Sequence, residues 1–258
     1  MSEALRVSVA DGVATLELNR PDKRNALNAE LVAALSRAVS ETATDPEVRV
    51  VCIRGAGPDF CSGADLAELE AIATKGPMDS VTDAQRLGDL LIALRQHPRP
   101  VVAVVHGKAL AGGCGLATAC DLVLARDDAR FGYPEVHLGF VPAMVLSILR
   151  RKVGEARAFE LVVRGRRITA EEAAEMGLIN RVWPESDFEG ASAEYLRDLA
   201  ALPPSALELT KRLFYGVDGL SVPDGIRRGA EVNAVARLTE ACKAGVRAFL
   251  DKVRSRGS

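Results

Sequence analysis

The 258-residue chain contains no apolar run long enough to cross a bilayer, which sets a membrane-spanning role aside. Charge of one sign is missing too. Thirty-three Lys and Arg stand against 35 Asp and Glu, a net charge of −2, so the chain lacks the electrostatic footprint of a nucleic-acid or anionic-membrane partner. Its glycine-rich centre contains neither G-x-G-x-x-G nor G-x-x-x-x-G-K-[ST], which argues against a nucleotide fingerprint there. The start, Met1-Ser2-Glu3-Ala4-Leu5-Arg6, lacks the basic segment and apolar core of a secretory leader. The five cysteines, Cys52, Cys61, Cys114, Cys120 and Cys242, are odd in number and are not spaced as zinc ligands. Buried reduced thiols in a cytoplasmic, metal-free protein are therefore expected.

What is present is a sizeable apolar complement, 48% of residues, enough for one large domain or a domain with an appendage. The pattern of the chain centres on the stretch from Val101 to Gly139. Val101-Val102-Ala103-Val104-Val105 reads as a strand buried on both faces. Ala111-Gly112-Gly113-Cys114-Gly115 then turns into a short helix ending at Asp121. Such a turn aims free backbone N–H groups and the positive end of a helix dipole at one point. A second strand, Leu122 to Ala125, leads through Arg130-Phe131-Gly132-Tyr133-Pro134 to Glu135. Taken blandly, these are turn glycines and a solvated glutamate. Taken together, an amide cluster followed by one carboxylate suits acid–base chemistry on a carbonyl compound.

Elsewhere, Val7–Ala10 and Val13–Leu18 alternate around Asp11-Gly12, a hairpin signal. Asn28 caps a helix running from Ala29 to about Thr44, and Val48–Ile53 is a buried strand. Phe60-Cys61-Ser62-Gly63-Ala64-Asp65-Leu66 repeats the strand–turn–helix pattern, followed by an expected mobile loop between Glu70 and Val81 and a helix from Asp83 to Gln96. From Ala143 onward strands give way to helices, with one short strand at Ile179–Trp183 and a last long helix from Gly225 to Val253. The fold class is α/β, with a core over residues 1–200 and a helical region over 201–258.

The chain resembles the enoyl-CoA hydratase/isomerase (crotonase) superfamily along essentially its whole length. The carriers are Asn19-Arg20-Pro21-Asp22-Lys23-Arg24-Asn25-Ala26-Leu27, the Phe60–Leu66 stretch, Ala109 to Asp121, Phe131-Gly132-Tyr133-Pro134-Glu135 and Ala248-Phe249-Leu250-Asp251-Lys252. The resemblance implies a spiral of ββα turns, a helical C-terminal trimerisation region, and a trimer or dimer of trimers. It implies acyl-CoA thioester substrates, or acyl groups on a carrier protein, with CoA as part of the substrate and no separate cofactor. The family's two oxyanion-binding amides fall on Ala64 and Gly112 and its acid/base on Glu135; Lys23, Arg24, Ala26, Ser62, Asp65, Leu66, Phe249 and Lys252 fall on substrate-binding positions.

One departure bears on the reaction. Hydratases of the family use two glutamates to hold and split water, and the first falls here on Gly115. A single carboxylate suffices to move a double bond from the β,γ to the α,β position, so isomerisation is favoured, with hydration by Glu135 and another group, such as Tyr133 or His137, as the alternative. The acid that some family hydrolases and dienoyl isomerases carry eight residues later is Ala143. A non-catalytic acyl-CoA binder is disfavoured by Glu135. A serine hydrolase would need Ser62 with His97, His106 or His137, and no nucleophile elbow surrounds Ser62.

Overall fold

A computed structural model describes residues 3–256. Met1 and Ser2, part of the stretch read for a leader, and the last two residues of the helical region lie outside the described residues.

Asp11 and Gly12, both at positive φ, close the hairpin between β1 (Leu5–Ala10) and β2 (Val13–Leu18). From β2 onward each pass of the chain lays one parallel strand beside the last: β3 (Val50–Gly55), β4 (Val101–Val105), then β6 (Leu122–Arg126) and β9 (Arg181–Trp183), giving the order β1-β2-β3-β4-β6-β9. After β4 and after β6 the chain crosses to a small second sheet, formed by β5 (Lys108–Leu110), β7 (Arg130–Gly132) and β8 (Arg167–Thr169). The pass after β3 makes only single bridges at that level, Cys61 to Ala109 and Ala64 to Leu27. Each pass then goes into helices: α1 (Ala29–Thr44) after β2, α2 (Leu66–Ala73) and α3 (Pro77–Gln96) after β3, and α4 (Gly112–Ala119) after β5. A helical run, α5 (Leu146–Val153) and α6 (Glu155–Arg164), follows β7. This is the spiral of ββα turns.

β4 is buried along its whole length, as its unbroken β-branched run requires. Val101, Ala103 and Val105 face the main core, packed with α1 and α3 residues such as Leu31, Leu35 and Leu94. Val102 and Val104 face a second cluster in which Phe188 and Leu196 of α8 (Glu185–Ala200) cover the outer side of the sheet. Four of the five cysteines are buried free thiols, and burial pushes Cys52, Cys61 and Cys120 up to about 12 and Cys114 up to about 11.

Three expectations are corrected. The mobile loop between Glu70 and Val81 is only the break Thr74–Gly76; Pro77 occupies the first turn of α3, where its missing N–H costs nothing, and starts that helix. A strand, β8, follows Ala143; at three residues it is too short to show an alternating pattern, and pairing with β7 forms it. Beyond α7 (Ala170–Glu175) and α9 (Pro204–Gly216), the last long helix is two, α10 (Val222–Leu238) and α11 (Glu240–Arg256), separated by the extended Thr239.

The helical region is tied to the body through a buried ion pair. Lys211 of α9 places Nζ 2.6 Å from the Asp121 carboxylate and also donates to the carbonyls of Leu94 and Arg99. Asp121 further accepts from the Val101 amide and the Tyr215 hydroxyl. Burial lowers the Lys211 pKa, against the pull of Asp121. Breaking such a pair from one side leaves a buried charge uncompensated. Lys211→Met should therefore destabilise the fold by about 3–5 kcal/mol, read as a lower denaturation midpoint in urea.

Candidate active site

Two turns meet above the small sheet. In the first, the bridge between Leu27 and Ala64 uses the groups on either side of Ala64: Leu27 N–H donates to the Gly63 carbonyl at 2.7 Å, and Asp65 N–H to the Leu27 carbonyl at 2.9 Å. Alternation along an extended segment turns the N–H of Ala64 to the opposite side, where it meets no protein acceptor. In the second turn, Ala111 adopts φ 49° and ψ −127°, a conformation costing about 1–3 kcal/mol for a residue with a Cβ. It is held there because its N–H donates to the Gly132 carbonyl and its carbonyl accepts from Gly115, both at 2.9 Å. Gly112 is then the first residue of α4, so its N–H has no intrahelical acceptor, and it finds no other.

Glycines let the turns approach. A Cβ on Gly63, whose φ is 104°, would stand 2.8 Å from the Ala111 Cβ and 3.3 Å from the Gly112 nitrogen. A Cβ on Gly113 would lie 2.3 Å from the Cys61 carbonyl oxygen. Gly112 itself has room: its Cβ position is 3.8 Å from the Ala64 nitrogen, which also shows how near the two free amides lie.

Both turns line a cavity of about 520 Å³, a size suited to a small-molecule ligand. Glu135 enters it from a short 3₁₀ turn, Pro134–Leu138. Only 8% of the residue is exposed, and its Oε2 is buried without a hydrogen-bond partner. Desolvation by burial raises its pKa above the ordinary carboxylate value. Of the aromatics that stand near Glu135 in sequence, one belongs to its cavity. Phe140 lines the cavity, but Phe131 and Tyr133 do not, and the rest of the apolar wall comes from Leu87 and Leu91 of α3 and from Val141, Met144 and Val145.

Gly115 lines the same cavity, one helical turn after Gly112. The groups considered as replacements for its missing carboxylate are committed elsewhere. The Tyr133 hydroxyl, fully buried, is 2.7 Å from the Thr118 hydroxyl, and His137 bonds the Gly165 carbonyl on the exposed side of its turn. The serine-hydrolase reading is likewise unsupported: Ser62 lines the cavity, whereas His97, His106 and His137 do not. His97 is held by Thr42 and Arg99, with burial lowering its pKa to about 4, and His106 by the Gly57 carbonyl.

Of the remaining substrate-binding positions, Lys23, Arg24, Ala26, Ser62, Asp65 and Leu66 all line the cavity. The charge of Asp65 is already matched: its carboxylate is 3.0 Å from Arg20 and accepts from the Ala67 amide at the start of α2. Phe249 and Lys252 lie exposed on α11 and do not line the cavity within one chain. Two residues quoted only as part of a motif prove to be supports. Arg20 donates to the Ala26 carbonyl as well as to Asp65. Asn25, fully buried at positive φ, accepts from the Arg20 amide and donates to the carbonyls of Ala56 and Asp59. A polar residue with that backbone freedom, between a turn proline and an apolar run, was the available signal.

A family model described as enoyl-CoA hydratase/isomerase matches residues 8–256. A Thermus thermophilus protein provisionally named an enoyl-CoA hydratase is 41% identical over 240 residues, covering 93% of this chain and 95% of that protein. The 2,3-dehydroadipyl-CoA hydratase of Escherichia coli is 34% identical over 253 residues, covering 98% and 97%. A crystal structure of enoyl-CoA hydratase from Mycobacterium smegmatis superposes with a TM-score of 0.92 at 33% identity, covering 97% of each chain. The chain belongs to the enoyl-CoA hydratase/isomerase family, which is enzymatic and acts on acyl-CoA thioesters.

The unpaired Glu135 should weaken the fold wherever it is ionised. With its folded pKa above the unfolded value, the destabilisation is absent below the unfolded pKa and complete above the folded one. Glu135→Gln should therefore raise the melting temperature at neutral pH, by an increment that shrinks on acidification through the carboxylate range; differential scanning calorimetry across pH checks it.

Proposed function

We propose that the enzyme binds the thioester carbonyl oxygen through the N–H groups of Ala64 and Gly112, and that Glu135 alone moves the proton. The observation that carries this reading is a buried carboxylate whose Oε2 has no hydrogen-bond partner, sharing a cavity with two unused amides. Removing the α-proton places negative charge on the thioester oxygen, and fixed donors in a water-poor site stabilise the enolate. The raised pKa of Glu135 makes it a stronger base toward a weakly acidic carbon than an ordinary carboxylate. Lys23 and Arg24, on the turn before α1, suit the anionic part of CoA.

For a β,γ-enoyl thioester, Glu135 takes the α-proton, the double bond shifts through the dienolate, and the same carboxylic acid returns a proton at the γ-carbon. The net change is isomerisation to the α,β-enoyl thioester, with no water consumed. Gly115 supports this over hydration, since the family's first glutamate is missing there and the other carboxylate lining the cavity, Asp65, is engaged by Arg20. Hydration stays the second reading because relatives across the family carry hydratase names. Self-association into a homotrimer or dimer of trimers suits the apolar residues that α9 and α10 leave exposed, among them Phe214, Val222 and Ile226.

Chromatographic separation of the equal-mass isomers followed by mass spectrometry, after incubation with β,γ- and α,β-enoyl thioesters, separates the readings. Interconversion without mass gain is expected; a product heavier by one water as the main outcome would overturn isomerisation. Glu135→Gln should lower kcat by roughly 10²–10⁴, the usual worth of a general acid–base, with thioester binding retained. Turnover near that of the wild type would remove Glu135 from the mechanism.

Gly115→Glu should restore the second carboxylate. The position has space, since a Cβ there meets nothing nearer than Val145 Cβ at 3.7 Å. The variant should gain hydration of a short α,β-enoyl thioester and lose isomerisation. The like charge beside Glu135 should also move one of the two carboxyl pKa values further up. A wild type that already hydrates well, with no gain in the variant, would show that another group activates water.

A further inference from the structure

The glycine run of α4 is not uniform. Gly113 is required by packing, because its Cβ position falls on backbone. Gly115 is not: its Cβ position makes only ordinary contact, 3.7 Å to Val145 Cβ and 3.9 Å to Val145 Cγ2. Its surface opens into the catalytic cavity, so the missing side chain leaves a recess there, closed by Val145.

The position of that recess relative to the reacting atoms follows from helix geometry. Gly115 stands three residues along α4 from Gly112, a rise of about 4.5 Å. An oxygen bound at the Gly112 amide lies a further hydrogen-bond length, about 2.9 Å, before the helix, and the acyl chain from that oxygen to a substituent on the β-carbon, plus one van der Waals contact of about 3.7 Å, spans the whole distance to Gly115. The neighbouring wall, Leu87, Leu91, Met144 and Val145, offers no polar partner. Among the charged residues lining the cavity, Asp65 is matched by Arg20, while Lys23 and Arg24 come from the turn before α1. A polar or charged group in the recess would lie next to Glu135 without a partner, whereas an alkyl group would bury its surface and help keep the carboxylate dry.

We infer that the recess over Gly115 receives an alkyl branch on the β-carbon, so that the enzyme prefers β-branched, uncharged acyl thioesters. The inference rests on the assignment of the thioester oxygen to the Ala64 and Gly112 amides. It does not depend on whether the reaction is isomerisation or hydration.

Binding of saturated thioesters, which cannot react at a double bond, tests it by isothermal titration calorimetry. Isovaleryl-CoA differs from butyryl-CoA by one methyl on the β-carbon. It should bind the wild type about fourfold more tightly, the worth of one buried methyl group. Gly115→Ala fills the recess and should abolish that preference, weakening isovaleryl-CoA binding more than butyryl-CoA binding. Val145→Ala widens it and should favour a β-ethyl over a β-methyl branch at constant main-chain length, 3-ethylpentanoyl-CoA over 3-methylpentanoyl-CoA. Equal wild-type affinity for butyryl- and isovaleryl-CoA would overturn the inference, as would an equal loss of both in Gly115→Ala. Failure of either thioester to bind the wild type would overturn the assignment of the thioester site together with it.

Discussion

The site depends on two backbone turns coming closer than side chains would allow. Gly63 and Gly113 stand where a single methyl group would strike the opposing turn. Bringing the turns together places the amides of Ala64 and Gly112 on one wall, each excluded from local pairing for its own reason. Ala64 lies between the two groups that serve its bridge to Leu27, and Gly112 lies at the start of a helix. The spiral makes this possible, because successive passes deliver a turn to the same level above the small sheet. Arg20 and Asn25 then brace the first turn from behind, with hydrogen bonds to Asp65, Ala26, Ala56 and Asp59.

An arrangement of this kind is locally unfavourable. Ala111 is held in a conformation that side chains avoid, and Glu135 has a buried oxygen with no partner. Both costs lie where the proposed chemistry occurs, and the rest of the fold offsets them. The two-faced burial of β4 and the anchoring of α9 by Lys211 and Asp121 surround the site with rigid structure. An unsatisfied carboxylate oxygen in a well-packed body cannot relax by rearranging, which is what the proposed role of Glu135 as base requires.

The sequence disclosed features that local physics determines. The unbroken run at Val101–Val105, the Asp11-Gly12 turn and the Asn28 cap each have one ready structural solution, and each is found. The glycine turns at Ala64 and Gly112 were legible as amide clusters, and the family resemblance paired them across the chain. Features set by tertiary neighbours were not legible. β8 exists because β7 offers an edge, and the helix start at Pro77 reads from sequence as a break. The apolar wall around Glu135 comes from α3 and the segment after Glu135, and not from Phe131 and Tyr133, which stand nearer to it in sequence. Arg20 and Asn25 acquire their meaning only once Asp65, Ala56 and Asp59 are brought beside them.

A glycine at position 115, where the resemblance to the hydratase pattern implies a second glutamate, bears on the electrostatics of the cavity as well as on its inventory. Two carboxylates facing one water repel each other, and polar groups or solvent must be kept nearby for both to ionise. With Gly115 in the first position that requirement lapses, and the cavity wall can be apolar up to Val145. A drier wall raises the pKa of Glu135 through desolvation alone, the dominant cause here. It also denies a nucleophilic water the hydrogen bonds that would hold it over the β-carbon. The same glycine thus favours a stronger base, removes the holder of a competing nucleophile and opens room for carbon in its place. On the proposed reading, these consequences all favour proton movement along the acyl chain over addition of water to it.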